Sequence, residues 1–131
     1  MERTSDVNIL IADDDPLVGQ LLGAAFRKEG WRSTFARDSM QSMMYALRAP
    51  QPDVILLDLS MPGGAGMDVL KRLKASTKTA EIPVLIITGN PDPALRDQAA
   101  QLGADAYMEK PVDPDAIIAR VREIASQASS D

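Results

Sequence analysis

Val7-Asn8-Ile9-Leu10-Ile11-Ala12-Asp13-Asp14-Asp15-Pro16 is the stretch on which the fold turns. Its first six residues are a largely aliphatic run of strand length, as a strand covered on both faces requires. Three carboxylates end the run. Asp15-Pro16 then opens a helix, with Asp as the capping residue and Pro at the first helical position, where its missing N–H costs nothing. Leu17, Leu21, Leu22, Ala25 and Phe26 supply that helix with an apolar face, and Gly30 stops it.

The same alternation repeats along the chain. Trp31 to Ala36 reads as a second, more polar strand. Asp38 or Ser39 caps a helix whose stripe of Met40, Met43, Met44 and Leu47 is expected in the core, and Pro50 and Pro52 stop it. Asp53 to Asp58 is a third strand, followed by the loop Met61-Pro62-Gly63-Gly64-Ala65-Gly66 and a helix through Val69, Leu70 and Leu73. Pro83 to Thr88 is a fourth strand, and Pro93 to Leu102 a helix that Gly103 stops. Ala106 to Glu109 is a short fifth strand. The last helix, Pro114 to Ser126, carries Ile117, Ile118, Val121 and Ile124, and a polar tail follows over 126–131.

Strands alternating with helices predict an α/β fold with a parallel sheet. The first, third and fourth strands are the most aliphatic and belong inside; the second and fifth belong at the edges. Right-handed crossovers then favour a five-stranded sheet in the order 2-1-3-4-5, flanked by five helices. The whole of 1–131 reads as one domain, with its core at about 7–125. Gly19 and Gly23 predict close packing of the first helix on the sheet. Lys71, Arg72, Lys74 and Lys78 predict a solvated face.

Composition narrows the chemistry. The chain of 131 residues has no Cys and no His, so disulfides, thiolate nucleophiles, imidazole bases and Cys- or His-ligated metals are excluded. Its 14 Lys and Arg against 19 Asp and Glu give a net charge of −5, which argues against direct nucleic acid binding and against lying on an anionic membrane. The longest apolar runs are about six residues, far below the ~20 that span a bilayer. The first six residues make no signal peptide, and the absence of Cys fits a cytoplasmic protein.

In a sheet of this order the ligand crevice lies outside the carboxyl ends of the strands, where the winding reverses. Asp13 and Asp14 stand there, as do Asp58, Thr88 and Lys110, each at the end of its own strand. Asp15 is more simply the helix cap. Converging carboxylates repel one another unless a cation holds them, and hard oxygen donors suit Mg2+, with Mn2+ also fitting. A Thr hydroxyl and a Lys ammonium are partners for a phosphoryl group. Asp58 is then the natural nucleophile, forming an acyl phosphate by positioning and charge neutralisation, without an acid–base residue.

Ile9-Leu10-Ile11-Ala12-Asp13-Asp14-Asp15-Pro16, Asp53-Val54-Ile55-Leu56-Leu57-Asp58-Leu59-Ser60-Met61-Pro62, Ile86-Ile87-Thr88-Gly89 and Lys110-Pro111 together resemble the signatures of response-regulator receiver domains, the phosphoacceptors of two-component signalling. The resemblance spans about Val7 to Ala125. It implies Asp58 as phosphoacceptor and Asp13 and Asp14 as the pair that organises Mg2+, with the backbone carbonyl of Ser60 as a further ligand. It implies that Thr88 and Lys110 bind the phosphoryl group, that the peptide before Pro111 is cis, and that Tyr107 rotates inward as Thr88 moves. The implied partners are a sensor histidine kinase or histidine phosphotransfer protein, and a downstream output protein or domain. A second copy could dock through the face of helix 4, strand 5 and helix 5, where Arg96, Arg120 and Arg122 stand. Gly66 keeps the family's place, whereas Gly64 and Ala65 replace bulkier residues. Ser60 and Asn90 stand where the family tunes phosphoryl lifetime.

Two other readings compete. The haloacid-dehalogenase-like phosphohydrolases carry a second Asp two residues after the nucleophile, and their acidic pair comes last in the chain; here those places hold Ser60 and, at the start, Asp13-Asp14. A pseudo-receiver that is not phosphorylated would lack some of the site residues, all of which are present. No residues follow the last helix as an output domain, so a stand-alone receiver, a phosphorelay intermediate and the first domain of a longer regulator all remain open.

Overall fold

The computed structural model describes residues 7–61, 65–90 and 92–129, and the side chains of these except 127–129. The elements follow in order: β1 (Asn8–Ala12), α1 (Pro16–Lys28), β2 (Arg32–Ala36), α2 (Ser39–Leu47), β3 (Val54–Asp58), α3 (Ala65–Ala75), β4 (Val84–Thr88), α4 (Pro93–Gln101), β5 (Ala106–Glu109) and α5 (Pro114–Ser129). All pairings are parallel, and the strand order is β2-β1-β3-β4-β5, as the sequence predicts.

Burial follows the strand alternation. Leu10, Ile55, Leu57 and Ile86 point into one core with Val69, Leu70 and Leu73 of α3. Ile9, Ile11, Leu56, Leu85 and Ile87 point into the other, with Leu22 and Phe26 of α1 and Ile117 and Val121 of α5. Because both faces are covered, β3 and β4 are buried at every position. β5 has no buried residue, and β2 buries only Ala36.

Local signals act as read. Asp15 caps α1, its carboxylate accepting from Leu17 N at 2.9 Å, and Asp38 caps α2 through Gln41 N at 2.8 Å. Gly30 and Gly103 follow helix ends at φ 81° and 105°, a region that disfavours any side chain. A Cβ on Gly19 would lie 2.6 Å from the Phe35 ring, so α1 does close onto β2 there.

Four expectations are corrected. The stripe on α2 is not core: Met40, Met44 and Leu47 are 77%, 49% and 45% exposed, and of the four only Met43 packs inward. The Asp38 cap fixes the phase of α2 so that small Ser42 and Ala46 face the sheet. Small residues let a short helix lie close, and apolar periodicity alone misses them. Leu17 and Leu21 on α1 are likewise exposed, the buried face being Leu22 and Phe26. Lys74 is no solvated lysine: its Nζ donates to the carbonyls of Ala80 and Ile82 at 3.1 and 3.0 Å, pinning the turn before β4. α5 continues to Ser129, beyond the expected end at Ser126; of the expected tail, 130–131 lie outside the described residues. Pro62, Gly63 and Gly64 lie outside them too. Among the described residues no helix is long and apolar enough to cross a membrane.

Candidate functional site

The sheet order brings the ends of β1, β3 and β4 side by side, with β5 beyond β4. Asp13 leaves β1, Asp58 ends β3, Thr88 ends β4 and Lys110 follows β5. Asp13, Asp58 and Thr88 are buried to 0% exposure, whereas Asp14 is exposed at the rim. Carboxylate oxygens of Asp13, Asp14 and Asp58 lie within 4.8 Å of one another.

Lys110 is the counter-charge. Its Nζ lies 3.0 Å from Asp13 Oδ2 and donates to Asp58 Oδ2 at 3.3 Å. Burial would lower the pKa of this ammonium, but the Asp13 contact and the charges of Asp13 and Asp58 outweigh it and raise the pKa above its ordinary value. One cation against two buried carboxylates leaves a deficit. Desolvation, with the Asp58 charge adding to it, pushes the Asp13 carboxyl from 3.8 up to about 6, although the Asp15 N–H and Lys110 oppose the rise.

The remaining oxygens are held from the backbone. Asp13 Oδ1 accepts from Asp15 N at 2.9 Å, and Asp58 Oδ1 from Ser60 N at 2.7 Å. Asp13 Oδ2 is buried and, despite its ion pair, receives no hydrogen bond of good angle among the described residues. An orphaned buried carboxylate oxygen beside two further carboxylates is a donor set for a hard divalent cation, so the residues present fit Mg2+.

Gly66 sets the loop behind Asp58. A Cβ there would lie 2.2 Å from the Asp58 carbonyl oxygen and 2.8 Å from Leu59 Cα, so only glycine lets the start of α3 pass this backbone. On the other side, Ser60 Oγ lies 3.1 Å from Thr88 Oγ1 and accepts from Gly89 N at 3.1 Å. Thr88 Oγ1 also accepts from Asn90 N at 3.0 Å. The sequence pointed to Ser60 for its backbone carbonyl and for a place that tunes phosphoryl lifetime, but not for this side-chain contact with Thr88. The register of β3 and β4, which sets Asp58 opposite Ile87, is the signal that could have found it.

Tyr107 stands apart, half-buried on β5, with its hydroxyl donating to the Asn90 carbonyl at 3.4 Å and the Arg96 guanidinium 5.3 Å from its ring centre. Burial and the Glu109 charge raise the pKa of its phenol. Lys110–Pro111 is cis, as is Ala49–Pro50, which the sequence reading did not single out. Of the arginines proposed for docking, Arg122 pairs with Glu29 at the end of α1 and lies over Trp31, so it serves the α1–α5 contact. Arg120 pairs with Glu123 on its own helix.

A sheet of this order with carboxylates and a lysine at its carboxyl edge defines a class, and the comparisons identify it. The chain matches the response regulator receiver domain family over residues 9–122. It is 31% identical over 121 residues to the phosphate regulon transcriptional regulatory protein PhoB of Escherichia coli, covering 92% of this chain and 52% of that one. To the DNA-binding response regulator MtrA of Mycolicibacterium smegmatis it is 36% identical over 114 residues, covering 87% and 48%. The crystal structure of a CheY-like receiver domain protein from Methanospirillum hungatei superposes with a TM-score of 0.87 at 21% identity, covering 95% of this chain and 98% of that one. The chain belongs to the receiver domain family of two-component response regulators. It spans about half the length of the curated relatives it matches.

Proposed function

We propose that this receiver domain takes a phosphoryl group onto Asp58 from a phosphohistidine of a partner kinase or phosphotransfer protein. A carboxylate oxygen of Asp58 attacks phosphorus, the P–N bond breaks, and the electron pair leaves on the partner's imidazole. The chain itself has no His, so the donor imidazole comes from outside. The observation that carries this reading is the buried Asp58, fixed at Oδ1 by Ser60 N and at Oδ2 by Lys110, with no acid–base residue needed nearby.

Asp13, Asp14 and Asp58, with the Ser60 carbonyl, would hold Mg2+ or Mn2+, and a bound divalent ion neutralises the charge that the acceptor site gathers. Lys110 supplies a fixed positive charge to the phosphoryl oxygens once its hold on Asp58 is shared with them. Thr88 donates its hydroxyl to one of those oxygens. Movement of Thr88 is passed to the loop through Asn90, whose carbonyl holds Tyr107, and this alters the face of α4, β5 and α5 that an output partner or a second copy would read. The phosphohydrolase alternative has no support at Ser60, which offers a hydroxyl where a water-activating carboxylate would be needed. In a protein as long as the curated relatives, this half would receive the signal and the remainder would deliver it; the reading places both in the cytoplasm.

The test is incubation with acetyl phosphate and Mg2+, followed by intact-mass measurement. One phosphoryl adduct is expected on the wild type, lost in Asp58→Asn and lost on chelation. No adduct on the wild type, or equal yield in Asp58→Asn, refutes the assignment.

A further inference from the structure

The Ser60 side chain has no part in the scheme above, yet it joins the acceptor loop to the end of β4. Its Oγ contacts Thr88 Oγ1 at 3.1 Å and accepts from Gly89 N at 3.1 Å, while its own N–H holds Asp58 Oδ1. A hydroxyl has one proton to give and two lone pairs to receive with. Thr88 is fully buried, and its oxygen already accepts from Asn90 N. A buried O–H has to donate somewhere. Among the described residues Ser60 Oγ is the acceptor within reach, and Ser60, being exposed, can turn its own proton to solvent.

We infer that Ser60 Oγ is the resting-state acceptor of the Thr88 proton and competes for it with the phosphoryl group on Asp58. The inference rests on the phosphoacceptor reading. A phosphoryl group presents only acceptor oxygens, so Thr88 must donate to it and give up Ser60. The Ser60 hydroxyl then keeps Gly89 N–H and turns its own proton to solvent. It is a positioning residue: it acts through Thr88 and Gly89 and sets how firmly the β4–α4 loop is held before transfer.

The experiment compares wild type, Ser60→Ala and Ser60→Thr in the full chain. Amide hydrogen exchange at Gly89, measured without phosphodonor, is expected to rise about fivefold to tenfold in Ser60→Ala, the effect of losing one net hydrogen bond. Phosphoryl uptake from acetyl phosphate with Mg2+ is expected to speed up by about threefold or more, because Thr88 no longer leaves a partner behind. Ser60→Thr keeps the hydroxyl and is expected to restore most of the Gly89 protection that Ser60→Ala loses. Unchanged Gly89 exchange in Ser60→Ala, uptake no faster than wild type, or a Ser60→Thr that behaves like Ser60→Ala overturns the inference. A wild type that takes up no phosphoryl group refutes the phosphoacceptor reading instead, and the Gly89 exchange still reports on the Ser60–Gly89 contact alone.

Discussion

Asp13→Asn is expected to stabilise this protein while disabling it. Asp13 is fully buried, and its carboxyl is displaced from 3.8 to about 6, mainly by desolvation. At about 1.4 kcal/mol per pH unit of displacement, the ionised side chain costs the fold about 3 kcal/mol at neutral pH. The amide keeps Oδ1, which accepts from Asp15 N, but can set an NH2 group against Lys110 Nζ, 3.0 Å from Oδ2, and so returns part of the gain. A net stabilisation of about 1–2 kcal/mol remains, equal to a Tm rise of about 3–8 °C for a domain of this size. The pH dependence has a definite sign. Between 3.8 and about 6 the folded state holds a proton on Asp13 that the unfolded state has lost, so wild-type stability falls as pH rises through that window. The gap between variant and wild type should therefore be near its minimum at pH 4 and reach its full value above pH 7. Urea unfolding of both proteins, without Mg2+, at pH 4, 5.5 and 7.5 measures it. Added Mg2+ should then stabilise wild type by mass action and leave Asp13→Asn unmoved. An Asp13→Asn variant less stable than wild type at pH 7.5, or a gap that does not change with pH, refutes the reasoning.

Three further outcomes follow from the geometry. Gly66→Ala forces a methyl group to 2.2 Å from the Asp58 carbonyl, where backbone must yield, and should cost about 2 kcal/mol or more in urea unfolding and slow phosphoryl uptake on Asp58. Lys110→Met leaves Asp13 and Asp58 facing each other without their counter-ion; it should destabilise the metal-free protein by about 3 kcal/mol at pH 7.5 and by much less at pH 4, as paired urea titrations would show. Met40→Gln changes a side chain that is 77% exposed and should shift Tm by no more than that of a neutral surface substitution, within about 0.5 kcal/mol.

The sheet was legible because strands covered on both faces leave unbroken aliphatic runs, and because Asp15-Pro16, Gly30 and Gly103 mark helix ends by local chemistry. The polar residues at the strand ends were legible for a related reason: topology alone sends Asp13, Asp58, Thr88 and Lys110 to one edge. Helix faces were less legible. On α2 the fully buried residues are Ser42 and Ala46, small enough for close approach, and a count of large apolar residues points outward to Met40 and Met44. Lys74 was misread because its carbonyl partners, Ala80 and Ile82, lie in a turn with no periodic signal. The Ser60–Thr88 contact needs strand register to be seen, and register is not written in either segment by itself.

A phosphoryl group on Asp58 can be located directly by its chemistry. An aspartyl phosphate is a mixed anhydride that borohydride reduces to the alcohol, so after acetyl phosphate and Mg2+ the reduced protein can be digested and position 58 read by mass spectrometry. Homoserine is expected at position 58, with unmodified Asp at positions 13, 14 and 15. Homoserine at one of those three positions, with position 58 intact, would contradict the assignment to Asp58.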